Sequence, residues 1–396
     1  MDPASGSVSE PKSVPLGRLA GAGRSASGDI DCAGLFLMPG LLDMHVHATI
    51  DPQGRSSRQF PSSRDERALL LAVDNLWIAL KAGVTRVRDL GARGTTLGTI
   101  RALQDAGVLA GARPCFSGPV ITSPGGHGTW LGHVVATDAE IAGALDLNAD
   151  RGADVIKIMM RSGSRSAEFC EDQLRLAVEH AHGRGLPVAV HANVSRDSIA
   201  KAIESGADTI EHGYMLDRPL IRDMARRGQF LCPTLSALRS VADSPRDARS
   251  PYDAHFVDWA SKAYDRATEA IGMAHREGVR IIAGTDAGAL GVGFDGLVAE
   301  LRLLSECGLS ALAALRSATT TAAQALTLGG SQGHPESDDW LLLGANPLDS
   351  LSALEDCAGV FHAGRAVGFR DDSRFDPAAL PVLAGPFIHE DLGGQQ

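Results

Sequence analysis

Two histidines separated by a single residue, His45 and His47, lie in the run DMHVH. In a β-strand, side chains two residues apart point to the same face, so these imidazoles would converge on one point. Neutral imidazole is a common metal ligand. A His-x-His pair alone is a weak indication, because most such pairs are ordinary polar residues of a strand.

Other apolar runs of the chain carry further side chains that can bind a metal. An ionisable group in such surroundings is costly unless it is paired, neutralised or bound to a metal. Because these groups and the two histidines occur at the ends of separate predicted strands, we expect all of them to form one site. The further groups are Lys157 in DVIKIMM, His191 in VAVHA, His212 in TIEHG and Asp286 in IIAGTDAG.

The elements that must position these residues follow a regular alternation. Short apolar or β-branched segments alternate with longer amphipathic segments, which is typical of βα units around a parallel sheet. Eight such units predict an α/β fold, a (β/α)₈ TIM barrel with its active site at the C-terminal ends of the strands. The eight predicted strands are residues 35–38 leading into 42–47, then 84–90, 114–121, 154–160, 187–191, 209–212, 230–234 and 280–285.

Helices are predicted between these strands, and most of them end in a glycine shortly before the next strand. A glycine at that position supplies the left-handed residue that closes a helix. The glycines are Gly83, Gly185, Gly206, Gly228 and Gly278. The helices include residues 66–82, 170–184, 195–205, 219–227 and 258–277.

The two ends of the chain do not follow the barrel pattern. We predict a TIM-barrel catalytic domain at residues 35–339 and a small, discontinuous β appendage, a reduced β-sandwich, from residues 1–34 and 340–396. The stretch after residue 370 is predicted to be an extended tail, packed on the surface or partly mobile. Strands are predicted in the appendage at residues 28–31, 340–343, 359–362 and 366–369, with turns at Asn346-Pro347 and Ala363-Gly364.

The composition of the 396 residues argues against several classes of protein. A formal net charge of −11 without a basic run argues against a nucleic-acid partner. Nothing approaches the ~18 apolar residues of a membrane span, and the polar start of the chain lacks secretory features, so a cytoplasmic location is predicted. The six cysteines form no CxxC pair and no phosphate loop occurs, so neither a disulfide framework nor a nucleotide cofactor is indicated.

The motifs PGLLDMHVH, VTRVRDLG, ADVIKIM, VHA, IEHG and GTDAG resemble those of the amidohydrolase superfamily of metal-dependent hydrolases. The resemblance runs from about residue 31 to residue 367. Within the superfamily, the sequence is similar to the branch of prolidase-like dipeptidases, carboxypeptidase-like enzymes and imidazolonepropionases. The run ITSPGGHG resembles a loop of the peptide-cleaving members. The motifs are specific for the superfamily and much less so for the substrate.

The resemblance implies a site with two divalent ions. Zinc is expected first, and manganese or cobalt would accept the same ligands. Lys157 would be carboxylated to bridge the ions, because an ammonium group would repel two cations whereas a carbamate supplies two anionic oxygens. A lysine that is salt-bridged to Asp286 in a one-metal site stays open as the alternative. The resemblance assigns His45, His47 and Asp286 to the more buried ion, and His191 and His212 to the more exposed one.

The resemblance also implies a mechanism. A water activated by the two ions would attack the amide carbonyl, and Asp286 would carry its proton to the leaving amine. His127 and Tyr214 are expected to contact the substrate. His133 and Arg161 are further candidates, equally consistent with a solvated or supporting role. Arg88 could face a substrate carboxylate, but a salt bridge to the neighbouring Asp89 or to another barrel acid is the preferred expectation.

We therefore expect a metal-dependent amidohydrolase that cleaves a peptide or peptide-like amide bond. The first alternative is a cyclic amide or lactam hydrolase of the imidazolonepropionase type. The second is a catalytically silent metal-binding barrel that serves as a binding or scaffold protein. Because the ends of the chain diverge from the family pattern, a specialised role in the maturation of a modified peptide natural product is a further hypothesis. A homodimer is a family-based expectation.

Overall fold

The computed structural model describes residues 34–54, 65–160, 169–193, 195–247, 250–328 and 339–369. The predicted strand at residues 28–31, the predicted tail after residue 370 and the site candidate Arg161 lie outside the described residues. The fold is the predicted TIM barrel, with a small antiparallel sheet beside it. Among the described residues, no helix combines the length and the apolar character that crossing a membrane requires.

The strands form one antiparallel and two parallel sheets. The parallel sheets have the orders β11-β10-β9-β8-β7-β5-β6 and β2-β3-β4, and the antiparallel sheet has the order β1-β12-β13-β14. The strands are β1 (Phe36–Pro39), β2 (Leu41–Val46), β3 (Val84–Asp89), β4 (Arg113–Phe116), β5 (Val120–Thr122), β6 (Gly132–Val134), β7 (Ile156–Met159), β8 (Val188–Ala192), β9 (Thr209–His212), β10 (Phe230–Cys232), β11 (Arg280–Ile281), β12 (Trp340–Leu343), β13 (Cys357–His362) and β14 (Arg365–Phe369).

The helices cover the parallel strands, and the predicted ones lie within four residues of their observed bounds. The five predicted closing glycines all have a left-handed backbone, with φ between +67° and +87°. The helices are α1 (Asp65–Lys81), α2 (Thr96–Asp105), α3 (Asp138–Asp150), α4 (Glu171–Gly183), α5 (Arg196–Glu204), α6 (Arg218–Arg227), α7 (Leu235–Ala242), α8 (Ala254–Arg276), α9 (Leu297–Glu306), α10 (Ala311–Ser317) and α11 (Thr320–Leu326), and residues Leu351–Asp356 form a 3₁₀ helix.

Backbone hydrogen bonds join the two parallel sheets where the first and eighth barrel strands meet. The amide of Asp286 donates to the carbonyl of His45 over 2.7 Å, and the amide of His47 donates to the carbonyl of Ala287 over 2.7 Å. Gly284 permits this approach, because a Cβ there would lie 2.8 Å from the amide nitrogen of His45. The eighth strand has a regular ladder only at Arg280–Ile281 rather than over residues 280–285, and continues as an irregular strand.

The third barrel strand is divided, which corrects the prediction of one strand over residues 114–121. β4 pairs with β3 of one sheet, whereas β5 pairs with β7 of the other. The break falls at Gly118 and Pro119, because Gly118 has a left-handed φ of +67° and proline has no N–H to donate to a ladder. The two segments carry the chain from one sheet to the next, and Asp154 extends the link by donating its amide to the carbonyl of Phe116 over 2.9 Å.

The prediction that residues 35–38 lead into the first barrel strand is also wrong. Phe36–Pro39 pairs antiparallel with Trp340–Leu343 in the four-stranded sheet. The chain changes sheet at Gly40, whose amide donates to the carbonyl of Asp339, while the next amide, of Leu41, donates to the carbonyl of Gly83 in the barrel. A Cβ on Gly40 would lie 2.3 Å from Thr85 Oγ1, so only glycine fits this crossing.

The predicted C-terminal hairpin is present. β13 and β14 are joined by Ala363 and Gly364, both of which have the left-handed φ of a two-residue hairpin turn. Asp339 fixes this sheet against the barrel, because it accepts a hydrogen bond from His362 Nδ1 over 2.8 Å and lies 3.7 Å from Nε of the buried Arg86 of β3. The appendage is therefore tied to the base of the barrel through a carboxylate that is itself buried.

Candidate active site

The residues predicted to bind metal meet at the C-terminal ends of the barrel strands. Neighbouring imidazole rings of the cluster have centroids 4.4 to 5.5 Å apart. The charge of the buried Lys157 acts on all four rings. His45, Lys157, His191 and His212 lie within β2, β7, β8 and β9, and His47 and Asp286 follow β2 and β11.

His45, His47 and Asp286 form the first group of the cluster. Asp286 Oδ1 lies 3.3 Å from His47 Nε2 and 3.6 Å from His45 Nε2. Ligand atoms of the three residues lie within 4.8 Å of one another and could hold a metal ion. Burial lowers the pKa of His45 to about 4, so this imidazole is neutral near pH 7, as a metal ligand must be.

The second ring nitrogen of each of these histidines has a fixed partner. His45 Nδ1 donates to Glu211 Oε2 over 2.7 Å, and His47 Nδ1 donates to the carbonyl of Gly91 over 3.2 Å. These bonds set the tautomer and leave both Nε2 atoms facing Asp286. An outer partner of this kind is characteristic of histidines that bind metals.

His191 and His212 form the second group. His191 Nδ1 and His212 Nε2 face each other at 2.7 Å, and the ring of His127 stacks on that of His191 with centroids 4.9 Å apart. The other nitrogen of His212, Nδ1, lies 2.7 Å from Thr234 Oγ1. Burial lowers the pKa of both His191 and His212 well below its usual value, so both rings are neutral.

Three residues of the cluster and its surroundings have a strained backbone. His212, Thr234 and Asp286 have φ values of +72°, +50° and +61°, in the left-handed region that residues other than glycine seldom adopt. Such strain persists where the surrounding structure imposes it, and it concentrates at functional sites. At His212 the left-handed backbone turns the side chain inward although its neighbour Glu211 also faces the interior.

Lys157 is completely buried, and its Nζ atom has no hydrogen-bond partner among the described residues. Asp286 is not within hydrogen-bond distance of this nitrogen, although its charge acts on it, and a one-metal site with a Lys157–Asp286 salt bridge stays an alternative prediction. Burial lowers the pKa of Lys157 to about 8. Four imidazoles and a carboxylate beside this buried nitrogen fit a site for divalent metal ions, because imidazole nitrogen and carboxylate oxygen are donors that such ions accept.

Glu211 is the main residue of the site that sequence reasoning missed. It is fully buried, and it binds Arg88 Nη2 over 2.8 Å on the side opposite to His45. Burial alone would raise the pKa of Glu211, but Arg88 and His45 more than offset this effect and hold the pKa below its usual range. An acid in the strand segment TIEHG was the sequence feature that could have indicated it. Arg88 was expected to pair with Asp89 or with another barrel acid, and Glu211 is that other acid.

Two further buried acids hold the loops around the cluster. Asp43 accepts hydrogen bonds from the amide of Thr285 over 3.0 Å and from its hydroxyl over 2.6 Å, which fixes the segment that leads to Asp286. Asp89 accepts the amides of Ala48 and Gly91 over 2.6 and 3.0 Å. Burial raises the pKa of Asp43 to about 7. These contacts join neighbouring strand ends into one support.

The residues predicted to contact substrate have different surroundings. Tyr214 is buried, and its hydroxyl donates to the carbonyl of Thr234 over 3.2 Å beside His212. His127 is exposed on the loop after β5, above His191. His133 bonds to Asn148 of α3 over 3.2 Å, so the structure joins it to the scaffold. Roles in substrate binding for these three residues stay predictions, as does that of Arg161, which lies outside the described residues.

Comparison with known proteins agrees with this geometry. A model of the amidohydrolase family matches residues 36–334. An uncharacterized protein of Mycobacterium tuberculosis is 28% identical over 357 residues, which cover 87% of this chain and 88% of that protein. The crystal structure of a Xaa-Pro dipeptidase with methionine bound in its active site has a TM-score of 0.74 and 28% identity, covering 84% of this chain and 87% of that chain.

The structure of a bottromycin amidohydrolase has a TM-score of 0.61 and covers 84% of this chain and 77% of that chain, but at 21% identity it shows a common fold alone. The family match spans most of the sequence, and the chain belongs to the amidohydrolase family. It is a metal-dependent hydrolase that acts on C–N bonds, similar to the prolidase-like members, as the motifs predicted.

Replacing Arg88 tests the buried support of the site. Arg88→Met leaves the carboxylate of Glu211 buried without its guanidinium, and we expect the free energy of unfolding to fall by about 3–5 kcal/mol. Arg226→Met is the control, because the Arg226 side chain is 77% exposed in its pair with Asp223 and should change stability by less than about 0.5 kcal/mol. Urea denaturation measures both, and equal losses would contradict a structural role for the buried pair.

Proposed function

We propose that the protein hydrolyses a peptide or peptide-like amide bond with the help of two divalent metal ions. The observation that carries the proposal is the set of inward-facing ring nitrogens at His45, His47 and His212, each backed by an outer partner and close to Asp286 or His191. Each outer partner fixes the tautomer of its histidine and leaves the other ring nitrogen free to bind a metal. A histidine with a purely structural role does not need this arrangement.

The described residues divide into two ligand groups. We assign His45, His47 and Asp286 to one ion and His191 and His212 to the other, with zinc expected first and manganese or cobalt as alternatives. Lys157, carboxylated on Nζ, would bridge the two ions, and its buried and unpartnered nitrogen supports this assignment. Bound divalent ions would supply the Lewis acidity that lowers the pKa of a water and polarises the substrate carbonyl.

Asp286 is the proposed proton carrier. Burial alone would raise the pKa of Asp286, but His45 and His47 more than offset this effect and hold the pKa below its usual range, so the carboxylate is ionised and can accept a proton. It would take the proton of the attacking water and return it to the nitrogen of the leaving amine. Its left-handed φ of +61° fixes the carboxylate at the point where the first and eighth strands meet.

Tyr214 and His127 are the proposed contacts to substrate. Burial raises the pKa of Tyr214 well above its usual value, so the phenol keeps its proton. To contact substrate, it would release the carbonyl of Thr234 and donate this proton to a carbonyl or carboxylate oxygen of the substrate. His127 is exposed at the mouth of the barrel on the loop that resembles the peptide-cleaving members. Lys157 in the fourth predicted barrel strand and the GGHG loop favour a peptide substrate over a lactam of the imidazolonepropionase type, and assays with both substrate types discriminate the two.

A role in the maturation of a modified peptide natural product is a narrower proposal. It is supported by the divergent ends of the chain and by the run ITSPGGHG, which resembles a loop of the peptide-cleaving members. A cytoplasmic location and a homodimer remain proposals from the sequence. A silent barrel is disfavoured, because a descendant without catalysis has no reason to keep the six ligand candidates together; two bound metals with no hydrolysis of any amide would revive it.

Replacing the proton carrier tests the mechanism. Asp286→Asn keeps the size of the side chain and removes its basicity, so we expect turnover to fall by at least about 100-fold, the scale of general acid–base catalysis. Near-native unfolding and circular dichroism would show that the fold is kept. A strong chelator should abolish the activity of the wild type, and added zinc should restore it. Substantial residual turnover by Asp286→Asn would contradict the assignment.

Carboxylation of Lys157 has its own test. Protein reconstituted with zinc and ¹³C-labelled bicarbonate should show a carbamate carbon signal, and Lys157→Ala should lack it. The same substitution should lower the metal content, because the bridging ligand is lost. Lys262→Ala is the control, since that lysine lies on the outer helix α8 and should leave the signal unchanged. A signal that persists in Lys157→Ala would contradict the bridge.

The proposed specialisation predicts poor turnover of simple substrates. If the protein matures a modified peptide, plain Xaa-Pro dipeptides should be hydrolysed slowly, with kcat/KM below about 10⁴ M⁻¹s⁻¹, the low end of the usual enzyme range. The measurement is amine release with a panel of dipeptides by the zinc-loaded protein. Fast hydrolysis across the whole panel would identify a general dipeptidase.

A further inference from the structure

Thr234 has a backbone conformation that a β-branched residue rarely adopts. Its φ and ψ are +50° and +48°, at the position just before helix α7 begins. In most helices the side chain of this residue caps the free amides of the first turn, yet the Thr234 side chain makes no such bond. Some other group must therefore satisfy those amides and hold the strained backbone.

That group is Glu300, which reaches across from helix α9. Its Oε1 atom accepts the amide of Leu235 over 2.9 Å, and its Oε2 atom accepts the amide of Ser236 and the Ser236 hydroxyl, each over 2.7 Å. Glu300 is completely buried. A carboxylate from a distant helix thus does the capping that the Thr234 side chain would normally do, which releases that side chain for other contacts.

The released side chain of Thr234 points to the site. Its Oγ1 atom lies 2.7 Å from His212 Nδ1 and 3.0 Å from the hydroxyl of Tyr214, and its carbonyl accepts that hydroxyl over 3.2 Å. One strained residue therefore orients a proposed metal ligand and a proposed substrate contact together. The tautomer of His212 depends on this contact, because a hydrogen on Nδ1 leaves Nε2 free to bind a metal.

We propose that Glu300 is a positioning residue for the second metal ion and for Tyr214, acting through Thr234. The inference rests on the proposed function, since it takes His212 as a ligand. Among the described residues Glu300 forms no hydrogen bond with His212 or Tyr214, and its hydrogen bonds reach them through the backbone that it fixes at Leu235 and Ser236. Its charge also acts on the phenol of Tyr214. A cap with a purely structural role would stabilise α7 without any effect on metal binding.

The experiment compares metal content in four forms of the protein. Wild type, Glu300→Gln, Thr234→Val and the double variant are loaded with zinc and dialysed against a weak chelator, and zinc per chain is measured. Thr234→Val removes the hydroxyl but leaves the cap from Glu300 in place, so it covers the case in which Glu300→Gln fails to fold. Glu306→Ala is the control, because Glu306 is exposed at the end of the same helix.

We expect both single variants to bind the second ion about 10- to 100-fold more weakly and to keep the first ion. The double variant should bind the second ion no more weakly than the weaker of the two single variants, because Glu300 is proposed to act through Thr234. Wild type and Glu306→Ala should hold two ions. A wild type with fewer than two ions overturns this inference and the proposed metal centre together. Two ions in wild type and in every variant, with only the unfolding free energy lowered, overturn this inference alone.

Discussion

The meeting of the first and eighth barrel strands is the constraint on which the rest of the site depends. His45 and His47 come from one strand and Asp286 from the other, and Asp43 bonds to Thr285 although the two are 242 residues apart in the sequence. Contacts of such long range form only after most of the chain is ordered, because loop closure costs entropy before the contact is gained. The cluster is therefore a product of the complete barrel rather than of any local segment.

The interior of the barrel holds several ionisable groups, and their arrangement lowers the cost of burying them. Arg88, Glu211 and His45 form a continuous line in which each charge or dipole has an opposite neighbour. The charge left without a partner among the described residues is that of Lys157, at the centre of the imidazole cluster. This unpaired charge lies where metal chemistry is expected, whereas the buried acids Asp43, Asp89 and Glu300 accept hydrogen bonds from backbone amides.

Many of the barrel strands and of the site residues could be predicted from the sequence, because apolar runs indicate the strands and polar residues mark their ends. The positions of His191 and His212, and the closing glycines such as Gly228, follow from local patterns of this kind. The division of the third strand at Gly118 and the transfer of Phe36–Pro39 to another sheet were missed, since pairing partners far along the chain decide them. The roles of Glu211 and Glu300 were not predicted for the same reason. Glu211 lies 166 residues from His45 in the sequence, and Glu300 lies 65 and 64 residues from Leu235 and Ser236.

Around the cluster, three residues other than glycine have a left-handed backbone, which implies a trade-off between stability and activity. Each such backbone costs about 1–3 kcal/mol, and glycine would relieve that cost at once. Random substitution followed by selection for stability alone would thus drift towards glycine at Thr234, His212 and Asp286. Side chains retained at these three positions, in this chain or in a relative, therefore indicate selection for catalysis. Glycine at these positions would indicate a barrel that has lost its catalytic activity.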